Sequence, residues 1–363
     1  MNVSVLLAGA TSVIALVFAV ALLDQYHTRH HAFQLIWALG MLFYGVAAGC
    51  EAIAGASGWN ETLYRTYYLT GAVWSVAWLG LGTAYLLART RFGYAFAASL
   101  FLAGLFTFLT DAEYHYPNSG AAPVIYFVLA AALAVVVAAF TYREDDRWPN
   151  VATVAVAGAT LLSLVLMLAA RLPSPGYELD PTSHAPAFDL LPGTLRLLTP
   201  YMNVTGAFSL LLGAVFSAYV FMPKRRVMTY SLDPHQPGGR LLGNLLIAPV
   251  AIAVNLVASL PGAAKALVAG RLPSRVPATI LIAIGAFIPT VTDSASRFGD
   301  MGLRELGHFL AVVFIFAGFL VSIEVFSEIR VPFTRIVLAH GRRERAPGGD
   351  PSGMGGAHAP SAH

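Results

Sequence analysis

His27, His30 and His31 are the residues best spaced for metal chemistry in this 363-residue chain. Neutral imidazoles so close together suit a transition metal, and they equally suit the polar flank of an apolar helix. Asp180 and His184 are four apart, but the prolines around them argue against the helix that would align them. A haem needs axial histidines facing each other inside a bundle, and only His308 falls in an apolar stretch, in its first turn. No nucleophile elbow, no H-E-x-x-H, no paired acidic motif of a prenyl or alcohol transferase and no phosphate-binding loop occurs. Cys50 is the only cysteine, so neither an intrachain disulfide nor a cysteine metal centre is available. These residues give no reason to expect catalysis, and they name neither a metal nor a cofactor.

Charges are few and lie at the margins of apolar stretches. Glu51 sits about one turn from the end of one stretch, and Arg65 opens the next after a short loop. A Glu51–Arg65 pair at the rim is therefore expected. Glu324 and Glu328 are expected to meet Arg330 or another cation at the opposite side. No Asp, Glu, Lys or Arg occupies the middle of an expected span, where a proton or ion relay would need one. This weighs against ion-coupled transport.

The remaining chemistry is aromatic. Residues 61–93 read ETLYRTYYLTGAVWSVAWLGLGTAYLLARTRFG. At about 100° per residue, Tyr67, Gly71, Trp74, Trp78, Gly82 and Tyr85 fall within about 80° of one another. Two readings follow. Glycines let a neighbouring helix approach while the rings pack over its shoulders. Alternatively, the gaps leave a slot lined by indoles, suited to a flat apolar ligand such as a lipid tail, quinone or pigment. The candidate ligand-binding residues are then Tyr67, Trp74, Trp78 and Tyr85, with Glu51 and Arg65 at the rim.

The elements that must position these residues are membrane helices. The chain is 57% hydrophobic and 11% charged, with a mean hydropathy of +0.67. A soluble domain carries about 25% charged residues, so bilayer solvation is the reading. The pI near 9.0 then reflects Lys and Arg held to one side rather than nucleic-acid binding. The N-terminal apolar run has no preceding Lys or Arg and reads as a retained first span. Spans are expected at 3–23, 32–55, 65–88, 94–110, 122–141, 151–170, 197–221, 276–292 and 306–328. Segment 241–270 is ambiguous, because Pro261-Gly262 should break it.

The distribution of positive charge resolves that ambiguity. If 241–270 does not cross and the N-terminus is outside, 17 of the 22 Lys and Arg lie inside. If it crosses, they divide 11 and 11 and the asymmetry vanishes. The expected fold is an all-α polytopic bundle of nine spans, N-out and C-in, with 241–270 a re-entrant or interfacial element on the cytoplasmic side. The expected organisation is a seven-span bundle over 1–221, a cytoplasmic-side segment 222–275, a two-span hairpin over 276–340 and a disordered tail over 341–363. Loop 171–196, with five prolines, reads as a stiff acidic outward cap, and 293–305 as a polar loop.

The stretches YYLTGAVWSVAWLGLGTAYLL, NVTGAFSLLLGAVFSAYVF and FIFAGFLVSIEVF resemble those of uncharacterised bacterial polytopic membrane proteins, a likeness that brings no known activity. The first seven expected spans are similar in topology to the seven-span sensor regions of histidine kinases, although two further spans stand where an output domain would be. That resemblance implies a sensor-like role with a separate signalling partner. Together these readings point to a non-enzymatic protein of a bacterial inner membrane, sensor-like or a complex subunit, binding an apolar small molecule or a partner helix. The alternative is a transporter or membrane enzyme acting on lipid-like substrates, with 171–196 as a lid and 241–270 as a gate.

Overall fold

The computed structural model describes residues 3–172, 191–223, 225–231, 240–269, 273, 275–296, 301–322, 328–330, 332, 334 and 337–340. Long helices dominate them. They are α1 (Val3–Arg29), α2 (Ala32–Ser57), α3 (Glu61–Leu86), α4 (Phe92–Tyr114), α5 (Ala122–Tyr142), α6 (Trp148–Ala169), α7 (Gly193–Phe221), α8 (Arg240–Val268), α9 (Arg275–Ser296) and α10 (Met301–Val321). Among the described residues, nine helices are long and apolar enough to cross a membrane: α1 to α8 and α10. Their outer surfaces carry Val, Leu, Ile and Phe, as lipid-facing surfaces do.

Contacts fix how the helices alternate. Gly45 of α2 meets Leu16 and Ala15, and Gly55 meets Val5, so α1 and α2 run antiparallel. Gly71 of α3 meets Ala47 of α2 and Gly82 meets Trp37, so α3 runs back again. Arg91 and Glu144 join the α3–α4 and α5–α6 connections at one end. Arg196, over the Tyr116 ring, joins the other two connections at the opposite end. Gly318 of α10 approaches Ala278 and Ile282 of α9, while Gly307 approaches Thr292, so this last pair is an antiparallel hairpin. The end that holds Arg91 is called the Arg91 end below, and its opposite the Glu51 end.

Two cores flank a central seam. One gathers α3, α4, α5, α6 and α7 around Tyr68, Phe92, Phe96 and Trp148. The other gathers α1, α2, α9 and α10 around Phe18, Trp37, Met41 and Phe319, with Leu79 of α3 and Leu210 of α7. At the seam a Cβ on Gly80 of α3 would stand 2.6 Å from the Gly206 carbonyl oxygen of α7. Backbones this close pack by dispersion, which is how helices associate where lipid is as apolar as the side chains.

Segment 241–270 departs from the expected break. Pro249 and Pro261 both lie inside the continuous helix α8. The expectation of nine long apolar segments holds in number but not in membership. α8 is one of them, whereas α9 carries a shorter apolar stretch, Val276–Pro289. Length alone does not make α8 a traverse of the bundle. Tyr219 and Met222 at the end of α7 share a cluster with Val276 at the start of α9. The chain between them thus leaves and returns at the Arg91 end.

α8 is held there by polar groups. Asn255 Oδ1 accepts from the Val227 and Met228 amides at 2.7 and 2.9 Å, and its Nδ2 donates to the Met228 carbonyl at 2.8 Å and the Tyr219 hydroxyl at 3.3 Å. Both donors and both lone pairs of the amide are used. Ser259 accepts from the Arg225 amide at 2.9 Å. The apolar side, with Leu246, Val250, Val257 and Leu260, is left on the outside.

Three boundaries also differ from expectation. The polar segment 293–305 is helical at both ends, so Arg304 and Glu305 belong to α10 rather than to a loop. The last helix ends at Val321 instead of continuing to 328. Glu328–Arg330 forms a strand, β1, paired antiparallel with β2, Val337–His340. Glu324, most of loop 171–196 and the tail 341–363 lie outside the described residues.

Candidate functional site

The aromatic helix α3 is not wound uniformly. Glu61–Tyr67 and Ser75–Leu86 are α-helical, but Tyr68–Trp74 is a π-helix. The Ser75 amide reaches back five residues to the Thr70 carbonyl. Each π turn takes in one more residue than an α turn. A wheel drawn at constant angle therefore fails across it, and the single face expected for Tyr67, Gly71, Trp74, Trp78, Gly82 and Tyr85 divides. Asn203 of α7 donates to the Ala72 carbonyl within the π segment at 2.9 Å.

From the last residue of the π segment onward, the rings turn to α6. Trp74 Nε1 donates to Ser163 Oγ at 2.8 Å, Trp78 Nε1 to Thr160 Oγ1 at 3.1 Å, and the Tyr85 hydroxyl to Asn150 Oδ1 at 2.9 Å. Three hydroxyl or amide groups along α6 thus hold the polar tips of three rings, as half-buried Trp and Tyr require. Phe43 of α2 meets both indoles edge-on, at 5.1 Å from Trp74 and 6.1 Å from Trp78. Phe43, Trp74 and Trp78 are only half-buried. They form a three-ring floor between α2 and α6 with α3 beneath.

The glycines point elsewhere. Gly71 and Gly82 are filled by α2 and Gly80 by α7. Of the two sequence readings, close helix approach describes the glycines, whose gaps hold neighbouring helices, and the slot alternating rings with gaps is not formed, because the rings stand apart from them. Between α2, α3, α7, α9 and α10, lined by Trp37, Leu210 and Phe319 among others, lies an apolar cavity of about 30 Å³. That is room for a water, far below the ~300 Å³ a drug-sized ligand needs. A larger polar cleft of about 340 Å³ at the Arg91 end is lined by Arg89, Arg91, Thr141, Glu144 and Asp146. Beside it, hydrogen bonds from Arg147 hold the Asp145 carboxyl below the usual carboxylate range.

Tyr67, before the π segment, turns to the rim. The expected Glu51–Arg65 pair does not form. Arg65 instead donates to Glu61, one turn earlier on its own helix, at 2.8 Å. It also reaches the Met167 and Ala170 carbonyls that end α6, the latter at 2.7 Å. A guanidinium there satisfies carbonyls that have no partner within their own helix. Glu51 is paired by Arg304 of α10, whose Nη2 stands 2.8 Å from Glu51 Oε1 and 2.8 Å from the Tyr67 hydroxyl. Glu305 lies 3.6 Å from Arg304 Nη1. The ligand atoms of Glu51, Glu305 and His308 approach within 4.8 Å of one another. Sequence reasoning missed Arg304 and Glu305 because they were assigned to a loop. The available signal was their spacing from His308, which puts 304, 305 and 308 on one helical face.

His27, His30 and His31 are distributed over the α1 end and the α1–α2 connection, and His30 adopts a positive φ of 55°. Among the described residues, the group of three or more ligating side chains close enough to share a metal is Glu51, Glu305 and His308. No protein-family model, curated protein or solved structure matches the chain.

Proposed function

We propose that this multi-pass membrane protein lies N-out and C-in in a bacterial inner membrane. There it serves as a sensor-like module or complex subunit, without catalysis of its own, by holding an apolar chain on the floor formed by Phe43, Trp74 and Trp78. One observation carries the ligand reading. The two indoles are tied by their N–H groups to α6 while Phe43 of α2 meets them edge-on. Their orientation is thus fixed by protein groups, and part of each ring is left open. Preorganised aromatic surface costs little entropy on binding. An acyl or isoprenoid tail fits a floor that offers rings and no charge. The orientation rests on the excess of Lys and Arg on one side that the sequence gives when α8 does not cross, and the cluster joining the end of α7 to the start of α9 supports that return.

Native mass spectrometry of gently extracted protein tests the reading. An apolar adduct is expected on the wild type and is expected to be lost from the Trp74→Leu, Trp78→Leu double variant. An adduct retained by that variant removes the ligand reading, and a co-purifying membrane protein in its place makes the floor a seat for a partner helix.

A further inference from the structure

We infer that Glu51, Glu305 and His308 form a binding site for a divalent first-row transition metal ion, which would clip the α9–α10 hairpin to α2. The three ligand atoms come from helices remote in sequence and converge within 4.8 Å. Ligands about 2.0–2.2 Å from one ion stand at most about 4.4 Å apart, so small side-chain movements would close these three atoms onto an ion. The set is two carboxylates and an imidazole. Hard cations such as Ca²⁺ and Mg²⁺ prefer all-oxygen shells, whereas Mn²⁺, Fe²⁺, Co²⁺ and Zn²⁺ accept nitrogen and oxygen together. Three protein ligands leave at least one position open.

The surroundings have the character of a site rather than of a solvated acidic patch. The side chains of Glu51 and Glu305 are 13% and 9% exposed. Arg304 holds Glu51 through Oε1, lies beside Glu305, and is itself held by the Tyr67 hydroxyl. Ligating carboxylates oriented by a hydrogen-bonded outer shell are the usual design of metal centres. His308 is placed through its backbone: the Tyr44 hydroxyl donates to its carbonyl at 3.1 Å. Substituting the imidazole therefore leaves that α2–α10 hydrogen bond in place.

Co²⁺ titration of the full-length, tag-free protein in detergent tests the site. A visible d–d absorption band is expected to saturate at one equivalent. Glu305→Gln or His308→Gln is expected to weaken binding at least tenfold, while Gln at His27, His30 and His31 together leaves the band unchanged. A band that survives both site substitutions, or that disappears with the three loop histidines, overturns the assignment. Independently of any site variant, Co²⁺ should raise the thermal midpoint of the protein lacking those three histidines, since an ion that binds only the folded state stabilises it. No rise would equally overturn the site.

Discussion

Arg304 and Arg65 illustrate how differently two rim cations can be used. Arg304 is 15% exposed and pairs with a Glu51 side chain that is 13% exposed. Removing it leaves a carboxylate with little water to solvate it, a loss of about 3–5 kcal/mol for a buried pair. Arg304→Met should therefore lower the thermal midpoint well below that of Arg65→Met, which forfeits a partly hydrated pair and two carbonyl contacts. Adding Glu51→Met to Arg304→Met should restore part of the loss, because one of the two carboxylates that faced Arg304 is gone while Glu305 remains. Equal effects of the two single variants, read by thermal scanning in detergent, would contradict this ordering. The sequence led to the carboxylate and to its depth but not to its partner. Arg65 lies 14 positions from Glu51 and Arg304 lies 253 away. Sequence proximity favours the nearer cation, and only the fold brings the farther one in.

At the scale of elements, the helices were legible because a span needs a continuous apolar run, and composition reports that directly. What such a run does not report is local winding. The π segment of α3 contains Thr70, Gly71 and no proline, and nothing in Tyr68–Trp74 distinguishes it from an α turn until α7 supplies Asn203. The break expected at Pro261-Gly262 failed for the converse reason. A proline costs a helix one hydrogen bond, and α8 retains enough others to continue. Glycines sort by what faces them. Gly80→Leu should prevent assembly or strongly reduce the folded yield, because even a Cβ there meets the Gly206 backbone. Gly158→Ala on α6 meets nothing within 4 Å and should stabilise by about 0.4–1 kcal/mol. Fluorescence-detected size-exclusion after heating separates the two outcomes, and a destabilised Gly158→Ala would count against the open surface described for α6.

For the whole molecule, the return of the chain to the Arg91 end makes a prediction about sides. Reporter fusions at 268 and 298 should report opposite compartments, cytoplasmic and external respectively. An external signal at 268 would reverse the tally of Lys and Arg. Asn255→Leu should free α8 from the 225–228 strap and raise proteolysis there without disturbing the two cores. The π segment has its own consequence at this scale. It acts like an extra half-row in a crystal: the winding absorbs a surplus residue, and the regions on either side depart from a constant-angle count. One region is Tyr67 with the Glu51–Arg304 rim, and the other is the ladder of α3 rings bonded to α6. Deleting a single residue between 68 and 74 would let the helix close up with its flanking turns still in phase, whereas adding one would twist the rim against the ladder. A chain that tolerates the deletion and rejects the insertion would show that the two regions are geared to each other through one surplus residue.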